Sequence, residues 1–273
     1  MYKKRKTRYK RKEKQAVIFD THAHYEDEQF NGDRNELLAS MKENGVGRIV
    51  DVGASIESTK GAVMLAHKYD FIYAAVGIHP DGVAELTEDH MGWLKTLAAD
   101  EKVVAIGEIG LDYHYEDPVR DIQKVWFERQ LELAHEVGLP VCIHSREAAK
   151  DTLDIMKKHN ADKLGGVIHC FSYSTEMAQT YIDMGFYIGV GGVVTFKNSK
   201  KLKEVVKNIP LEHIVLETDC PYMAPVPNRG KRNSSIYLPY VVAAIAQIKG
   251  ISEDEVIKVT EENGMKLYRM AGI

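Results

Sequence analysis

The segment AVIFDTHAH, residues 16–24, decides between two folds for the chain. Its first five residues are mostly apolar and include β-branched side chains, the pattern of a strand buried on both faces of a parallel sheet. A doubly wound open sheet normally has a glycine-rich phosphate loop after its first strand. Thr-His-Ala-His follows here instead, so the segment favours a barrel with polar side chains at the ends of its strands.

Seven more segments share this strand character, and amphipathic stretches alternate with them. The predicted strands are residues 16–20, 48–52, 72–77, 103–107, 140–143, 166–168, 186–190 and 213–216. Predicted helices over residues 34–44, 125–137 and 175–184 each precede a glycine, and one over 252–268 opens with the capping-box pattern SEDE. Eight strands alternating with helices over about 250 residues predict an α/β fold, a single-domain (β/α)8 TIM barrel over residues 16–273.

The charge of the chain is unevenly distributed. Residues 1–14 carry nine Lys or Arg and one Glu, whereas the rest of the chain carries 27 basic and 39 acidic residues. We predict that residues 1–15 form a poorly ordered basic extension. It has two open interpretations: a salt-sensitive attachment to nucleic acid, or a solvated tail without a role.

Composition also bears on location. No apolar run approaches the roughly 18 residues of a transmembrane helix, and only four apolar residues follow the basic start. We therefore expect no membrane association, no secretory signal and a cytoplasmic protein. Cys142, Cys170 and Cys220 lack the spacing of a metal knuckle and are predicted to be small buried hydrophobic residues.

Chemistry-bearing side chains gather where the predicted strands end. Six of the eight strands are followed by histidine or carboxylate residues: His22, His24, His79, Glu108, His144, His169, Glu217 and Asp219. A single histidine at a strand end is more often a hydrogen-bonded structural residue than a ligand. Many ionisable groups at one end of a barrel, however, are costly to desolvate unless a cation compensates them. The conjunction therefore predicts a metal centre.

The ligand types narrow the choice of metal. Nitrogen and oxygen ligands without thiolates suit Zn²⁺, Mn²⁺, Ni²⁺ or Mg²⁺. Six or more ligands exceed the need of one catalytic ion that keeps a water. Two divalent ions about 3.5–4 Å apart, bridged by a shared carboxylate, would use them all.

Seven ordered motifs carry a resemblance to a known family. They are FDTHAH (19–24), VGIHP (76–80), GEIGLDY (107–113), LPVCIHSR (139–146), HCFS (169–172), LETDCPY (216–222) and APVPNRGKRN (224–233). Together they resemble the TatD metal-dependent deoxyribonucleases, a branch of the amidohydrolase-like barrels. The resemblance implies the metal ligands His22, His24, Glu108, His144, His169 and Asp219. It also implies that Glu108 bridges two ions, and it assigns His79 and Glu217 to a third ion or to the substrate phosphate.

The hypothesis for the mechanism is attack of a hydroxide, held between the two ions, on a phosphodiester. Asp219 would accept the proton of the water, and Arg146 would clamp a phosphate. Further predicted substrate contacts are a cationic cluster after strand eight and two aromatic rings for base stacking. These residues are Arg229, Lys231, Arg232, Tyr222 and Tyr113.

The sequence thus predicts an exonuclease acting on single-stranded DNA ends, with RNA as the alternative polymer. The 3′-to-5′ polarity rests on the resemblance alone, and no obligate protein partner is predicted. The acidic body lacks the broad positive stripe of duplex binders. The alternative is a small-molecule phosphoester or amide hydrolase. A non-catalytic nucleic-acid-binding protein is disfavoured because every expected ligand is present. The chain departs from the family pattern at Tyr173, Ser234 and Ser235, in loops expected to touch substrate.

Overall fold

Eight parallel strands form one sheet in sequential order, β1 to β8, in a computed structural model that describes residues 16–270. The strands are β1 (Ile18–Ala23), β2 (Val46–Val52), β3 (Ile72–Val76), β4 (Val103–Asp112), β5 (Val141–Arg146), β6 (Gly166–Ile168), β7 (Phe186–Val190) and β8 (Ile214–Leu216). The first and last strands meet through hydrogen bonds, including one from the Asp219 N–H to the His22 carbonyl oxygen at 2.9 Å. The nearly closed barrel confirms the predicted fold class. The predicted basic extension, residues 1–15, lies outside the described residues.

Helices follow or flank the strands and cover the outside of the barrel. They are α1 (Arg34–Ala39), α2 (Ile56–Lys68), α3 (Glu88–Leu97), α4 (Arg120–Val137), α5 (Ala149–Lys158), α6 (Thr175–Asp183), α7 (Lys200–Asn208), α8 (Leu238–Lys249) and α9 (Glu253–Leu267). Helix α4 starts five residues earlier than predicted. The reason is Gln123, a polar residue that is buried because its side chain bonds the backbone of Asp112 and Pro118. A helix prediction based on the spacing of apolar residues does not recognise a buried polar residue such as Gln123.

Alternate residues along the strands form two hydrophobic layers. One set, which includes Ile49, packs outward against the helices. The other set, which includes Phe19 and Cys142, fills the barrel interior. Tyr268, just after α9, joins this interior layer and its hydroxyl donates to the Thr21 carbonyl oxygen at 2.7 Å. The segment after α9 thus packs against the interior side of β1.

Three strands run further than the sequence pattern predicts. β1 reaches Ala23, β4 reaches Asp112 and β5 reaches Arg146, so predicted loop residues such as Glu108 lie on strands. The extension follows from pairing between β4 and β5, where Gly110 stands opposite His144. A search for apolar runs does not predict this pairing of β4 with β5, because many of the paired side chains are polar. The backbone hydrogen bonds of the pair nevertheless hold the candidate ligands in fixed positions.

The buried cysteines agree in part with the prediction. Cys142 and Cys220 are fully buried, whereas Cys170 is partly exposed. As for membranes, no single helix within residues 16–270 is long and apolar enough to cross one. The segments Ser235–Lys249 and Glu253–Leu267 are long and apolar enough only when taken together, and they are separated by a bend of 108°.

We expect Gly110→Ala to destabilise the barrel. Gly110 has a φ of +147°, and a Cβ there would lie 1.9 Å from the carbonyl oxygen of His144. Backbone strain and overpacking should together lower the free energy of unfolding by about 2–5 kcal/mol. Urea unfolding measures this loss.

Gly92→Ala is the matched control. Gly92 lies within α3 and nothing stands within 4 Å of a Cβ added there. Alanine should therefore stabilise this helix by about 0.5–1 kcal/mol. Equal unfolding midpoints for the two variants would contradict the close approach of β4 to β5.

Candidate metal centre

His22 and His24 converge at the end of β1. Their Nε2 atoms lie 3.1 Å apart, as expected for side chains two residues apart on one strand. Nδ1 of His24 lies 2.7 Å from the Val52 carbonyl oxygen, and Nδ1 of His22 lies 3.1 Å from the sulfur of Cys142. When Nδ1–H donates to these neighbours, the Nε2 lone pair of each ring is free for a metal ion.

The two carboxylate oxygens of Glu108 face different histidine pairs. Oε2 lies 3.4 Å from Nε2 of His22 and 3.8 Å from Nε2 of His24. Oε1 lies 2.8 Å from Nδ1 of His144 and 3.3 Å from Nε2 of His169. A carboxylate whose two oxygens face different ligand pairs is suited to bridge two metal ions.

Asp219, in the segment after β8, faces the first pair, His22 and His24. Its Oδ1 lies 3.4 Å from Nε2 of His24 and 3.8 Å from Nε2 of both His22 and His169. The residue has a φ of +54°, a left-handed conformation that is uncommon outside glycine. Such strain persists only where the surroundings enforce it, and here the backbone bond to His22 does so.

Ligand atoms from these residues form compact groups. Within residues 16–270, four sets of three lie within 4.8 Å of one another: His22, His24 and Asp219; His22, Glu108 and His169; His79, Asp112 and His144; and His169, Cys170 and Asp219. Most of the donors are imidazole nitrogens and carboxylate oxygens, and most are buried. This donor set fits the borderline and hard divalent ions predicted from the sequence.

The carboxylates of the centre favour their charged form. Burial opposes ionisation of Glu108, but the surrounding imidazoles, His169 foremost, hold its pKa well below the usual range. Burial likewise opposes ionisation of Asp219, and again His169 and His24 lower its pKa. Both side chains are therefore available as anionic ligands.

The histidines divide by environment. Burial and the neighbouring His169 lower the pKa of His22 to about 4, which keeps its imidazole neutral. Burial acts in the same direction on His144, but Asp112 and Glu108 outweigh it and raise the pKa of His144 to about 9. A metal ion binding at His144 must displace that proton, because only the neutral ring is a ligand.

Glu217 lies behind His169 and has no exposed surface. Its Oε2 is 3.4 Å from Nδ1 of His169, and its Oε1 accepts the N–H of Cys170 at 2.7 Å. A carboxylate in this place orients the imidazole and raises its basicity. The role implied by the resemblance, contact with a further ion or with the substrate phosphate, stays a prediction for Glu217.

His79 lies at the other side of the centre, beside a carboxylate that the sequence did not single out. Nε2 of His79 is 3.9 Å from Oε1 of Glu108. Asp112 places Oδ2 3.1 Å from Nε2 of His144 and accepts the N–H of His114 on Oδ1 at 2.9 Å. Because the opposite nitrogen of His144 faces Glu108, Asp112 is positioned to fix the orientation of that ring.

The predicted cationic cluster is spread over different environments. Arg146 is 45% exposed and its guanidinium lies 3.9 Å from Asp112. Arg229 is exposed and stacks over the ring of Phe196, with 4.6 Å between guanidinium carbon and ring centroid. Lys231 is exposed, and its ammonium group lies 3.4 Å from the side-chain oxygen of Asn228.

Arg232 is partly exposed and binds other residues of the protein through its guanidinium group. Its guanidinium donates to both oxygens of Asp33, at 2.8 and 2.5 Å, and to the Gln29 carbonyl oxygen at 2.6 Å. It also covers the ring of Phe30 at 4.6 Å. These contacts join the loop after β8 to the start of α1, so Arg232 has a structural partner where the sequence predicted a phosphate.

The two predicted stacking rings also differ. Tyr222 is 53% exposed at the rim of the barrel. Tyr113 is half-buried, donates its hydroxyl to Asp151 at 2.7 Å and has the guanidinium of Arg120 over its ring at 4.3 Å. Of the two, Tyr222 is the one with a ring open to a base.

The residues that depart from the family pattern have structural contacts. Ser235 is fully buried and its hydroxyl donates to Asp20 at 2.6 Å. Ser234 is buried beside it, and the hydroxyl of Tyr173 bonds Ser145 at 2.9 Å. The side chains of Ser234 and Ser235 are buried and that of Tyr173 is half-buried, and contact of these loops with substrate stays a prediction.

Asp20 is a buried carboxylate that the sequence reading missed. Burial raises its pKa to about 7, although four hydrogen bonds favour the charged form. Its oxygens accept from Thr218 and Ser235 and from the backbone N–H of His22. Asp20 thereby ties β1 to the segment after β8 that carries Asp219.

The fold and this centre define a class: a hydrolase that works with divalent metal ions in the mouth of a (β/α)8 barrel. Residues 19–269 match the profile of the family described as TatD related DNase. The chain therefore belongs to the TatD-related DNase family of metal-dependent hydrolases.

Individual relatives agree with this assignment. The chain is 46% identical to the metal-dependent hydrolase YabD of Bacillus subtilis over 254 residues, which cover 93% of this chain and 100% of that protein. It is 33% identical to the metal-dependent hydrolase YcfH of Escherichia coli over 258 residues, covering 93% and 96%. The crystal structure of the TatD homologue YjjV of Escherichia coli superposes with a TM-score of 0.87 at 31% identity, covering 92% and 98%.

We expect Asp112→Asn to weaken metal binding by about 10–100-fold, the usual effect of losing a carboxylate that orients a histidine ligand. Competition against a chromophoric chelator measures the affinity directly. Asp121→Asn is the control, because Asp121 is an exposed acid at the start of α4 and loses the same charge. Equal metal affinity for the Asp112 variant and the wild type would refute the role of Asp112.

Arg232→Gln should lower the free energy of unfolding by about 1 kcal/mol, since it removes a partly exposed ion pair and its packing on Phe30. Asp33→Asn should give a similar loss. Oligonucleotide binding should stay within about twofold of the wild type, because no phosphate contact is removed. A large rise in the dissociation constant at unchanged stability would restore Arg232 to the substrate site.

Proposed function

We propose that this hydrolase cleaves phosphodiester bonds at single-stranded ends of DNA, with two divalent ions held by His22, His24, Glu108, His144, His169 and Asp219. The carboxylate of Glu108 carries the proposal, because its two oxygens face two different pairs of histidines at distances of 2.8–3.8 Å. The family supplies the second support, since its description names a deoxyribonuclease. RNA ends are the alternative polymer, and the proposed polarity is 3′ to 5′.

The bound ions supply Lewis acidity and a nucleophilic water at neutral pH. The chain supplies the rest. Asp219, whose pKa is lowered by His169 and His24 against the effect of burial, is an anionic acceptor for the proton of the water. Arg146 lies on the same rim as His144 and offers a planar guanidinium for a phosphate. The nearly complete burial of Glu108 and His22 excludes bulk water and strengthens each electrostatic interaction.

A small-molecule phosphoester hydrolase is the second candidate. It is favoured by a cavity of about 530 Å³ beside the ligands, since sites for small molecules commonly measure about 300–1,000 Å³. The two candidates differ in product: an exonuclease shortens a labelled oligonucleotide stepwise, and a small-molecule enzyme leaves it intact.

Metal-stripped protein should regain nuclease activity when Mg²⁺, Mn²⁺, Zn²⁺ or Ni²⁺ is added, and the position of the label should report the polarity. Glu108→Gln should reduce turnover by at least about 100-fold, because changes around ligands alone cost 10–100-fold. Metal analysis should show two ions per wild-type chain and fewer in the variant. Glu57→Gln, at a glutamate whose side chain is 84% exposed on α2, is the control.

Retained activity in Glu108→Gln under metal-controlled conditions would contradict the two-ion centre. Intact oligonucleotides with every metal, from protein that binds two ions, would contradict the nuclease proposal. Hydrolysis of a small phosphoester by that same protein would then favour the second candidate.

A further inference from the structure

A cavity of about 530 Å³ opens directly beside the candidate ligands His144, His169 and Asp219. Its far wall is the segment between β7 and α7 together with the first turn of α7, residues 191–202. The sequence motifs did not mark this segment. The size of the cavity suits a small organic group and is far below what a double helix would need.

Glycines let this wall approach the centre. A Cβ on Gly189 would lie 2.3 Å from Oε2 of Glu217, and a Cβ on Gly192 would lie 2.1 Å from the carbonyl oxygen of Met223. β7 and the turn after it therefore pack tightly on β8 and the loop that follows.

The remaining walls combine apolar and cationic side chains. Phe171, Val193, Leu202 and Met223 contribute apolar surface. Base rings stack or pack on such surfaces without regard to sequence. The apolar part of the cavity thus matches the chemistry of a nucleobase.

Two cations stand on the same cavity. Arg146 reaches it from the end of β5, and Lys201 reaches it from the first turn of α7. Lys201 is exposed and has no ion-pair partner within 4.0 Å among residues 16–270. By contrast, Arg232 of the predicted cationic cluster is bound to Asp33. Lys201 therefore adds a positive charge from α7 to that of Arg146 on β5, which lies 3.9 Å from Asp112.

We propose that this cavity receives the terminal nucleotide of a single strand. The base lies against Val193 and the other apolar walls, and Lys201 with Arg146 binds the phosphate that links it to the rest of the strand. This inference rests on the proposed phosphodiesterase function and deepens it, because it explains a preference for strand ends. Residues from the segment 191–202 form one wall of the cavity, and the proposal places the end of the strand against that wall.

The first test fills the cavity. Val193→Phe should raise the KM for oligothymidylate about tenfold or more, the scale of losing one base contact. The ratio of kcat/KM for oligothymidylate to kcat/KM for bis(p-nitrophenyl) phosphate should fall, because the variant removes the contact with the base and not the metal centre. Val125→Phe is the control, because Val125 is 62% exposed on α4 and lies outside the cavity. Equal effects on the two substrates, or no effect on either, would overturn the base site.

The second test compares two neighbouring lysines. Lys201→Gln should raise the KM for the oligonucleotide and reduce the slope of its logarithm against log salt by about 0.7, the value for one phosphate contact on a single strand. Lys200→Gln should change neither quantity, because Lys200 is exposed on the same helix and does not line the cavity. Equal changes in both variants would indicate general surface charge and would overturn the role of Lys201.

A binding measurement separates failure of the cavity from failure of the proposed function. Calorimetric titration with thymidine 5′-monophosphate and with inorganic phosphate requires no turnover. The nucleotide should bind more tightly than phosphate, and Val193→Phe should remove the difference. If the wild type cleaves neither substrate with any metal, the proposed function fails. Equal binding of nucleotide and phosphate to the wild type would overturn the cavity proposal by itself.

Discussion

The structure depends on one electrostatic constraint: two carboxylates and a set of imidazoles share a site that is largely closed to water. Burial alone would neutralise Glu108, yet its pKa is held well below the usual range by the histidines around it. Charges of opposite sign at this density stabilise each other only in a fixed geometry. The barrel provides that geometry because β1, β4, β5, β6 and β8 bring the ligands to one end, and rings have partners behind them, such as the Val52 carbonyl oxygen for His24 and Glu217 for His169.

Much of this arrangement could be predicted from the sequence because parallel strands end at one face. A histidine or carboxylate directly after an apolar run must lie at the barrel mouth, and this places His22, Glu108 and Asp219 together without knowledge of any contact. Asp112 could not be found in that way. Its role depends on the pairing of β4 with β5, where it stands opposite Arg146 and reaches His144. A single sequence carries the strand pattern but not the register between strands.

The position of a basic residue in the sequence does not show whether its side chain has an ion-pair partner in the fold. Arg232 looked like one member of a basic loop, but Asp33, nearly two hundred residues away in the chain, accepts two of its hydrogen bonds. Lys201 is one of several lysines in α7 and belongs to none of the sequence motifs, yet it lines the cavity. Whether a cation is free for a ligand depends on its tertiary partners, and these are set by the fold rather than by neighbours in sequence.

The chemistry and the substrate preference come from different parts of the barrel. The candidate ligands stand on strands or directly after them, where backbone ladders limit movement, whereas the cavity walls come from the loops and helix ends that follow β5, β6, β7 and β8. Loops tolerate change far better than strands do. Under the proposed function, substitutions around Val193 and Lys201 would alter which substrate enters while the ligand geometry at Glu108 stays intact. Relatives with the same metal centre are expected to differ most in the segment that corresponds to residues 191–202, because that segment contributes a wall of the cavity.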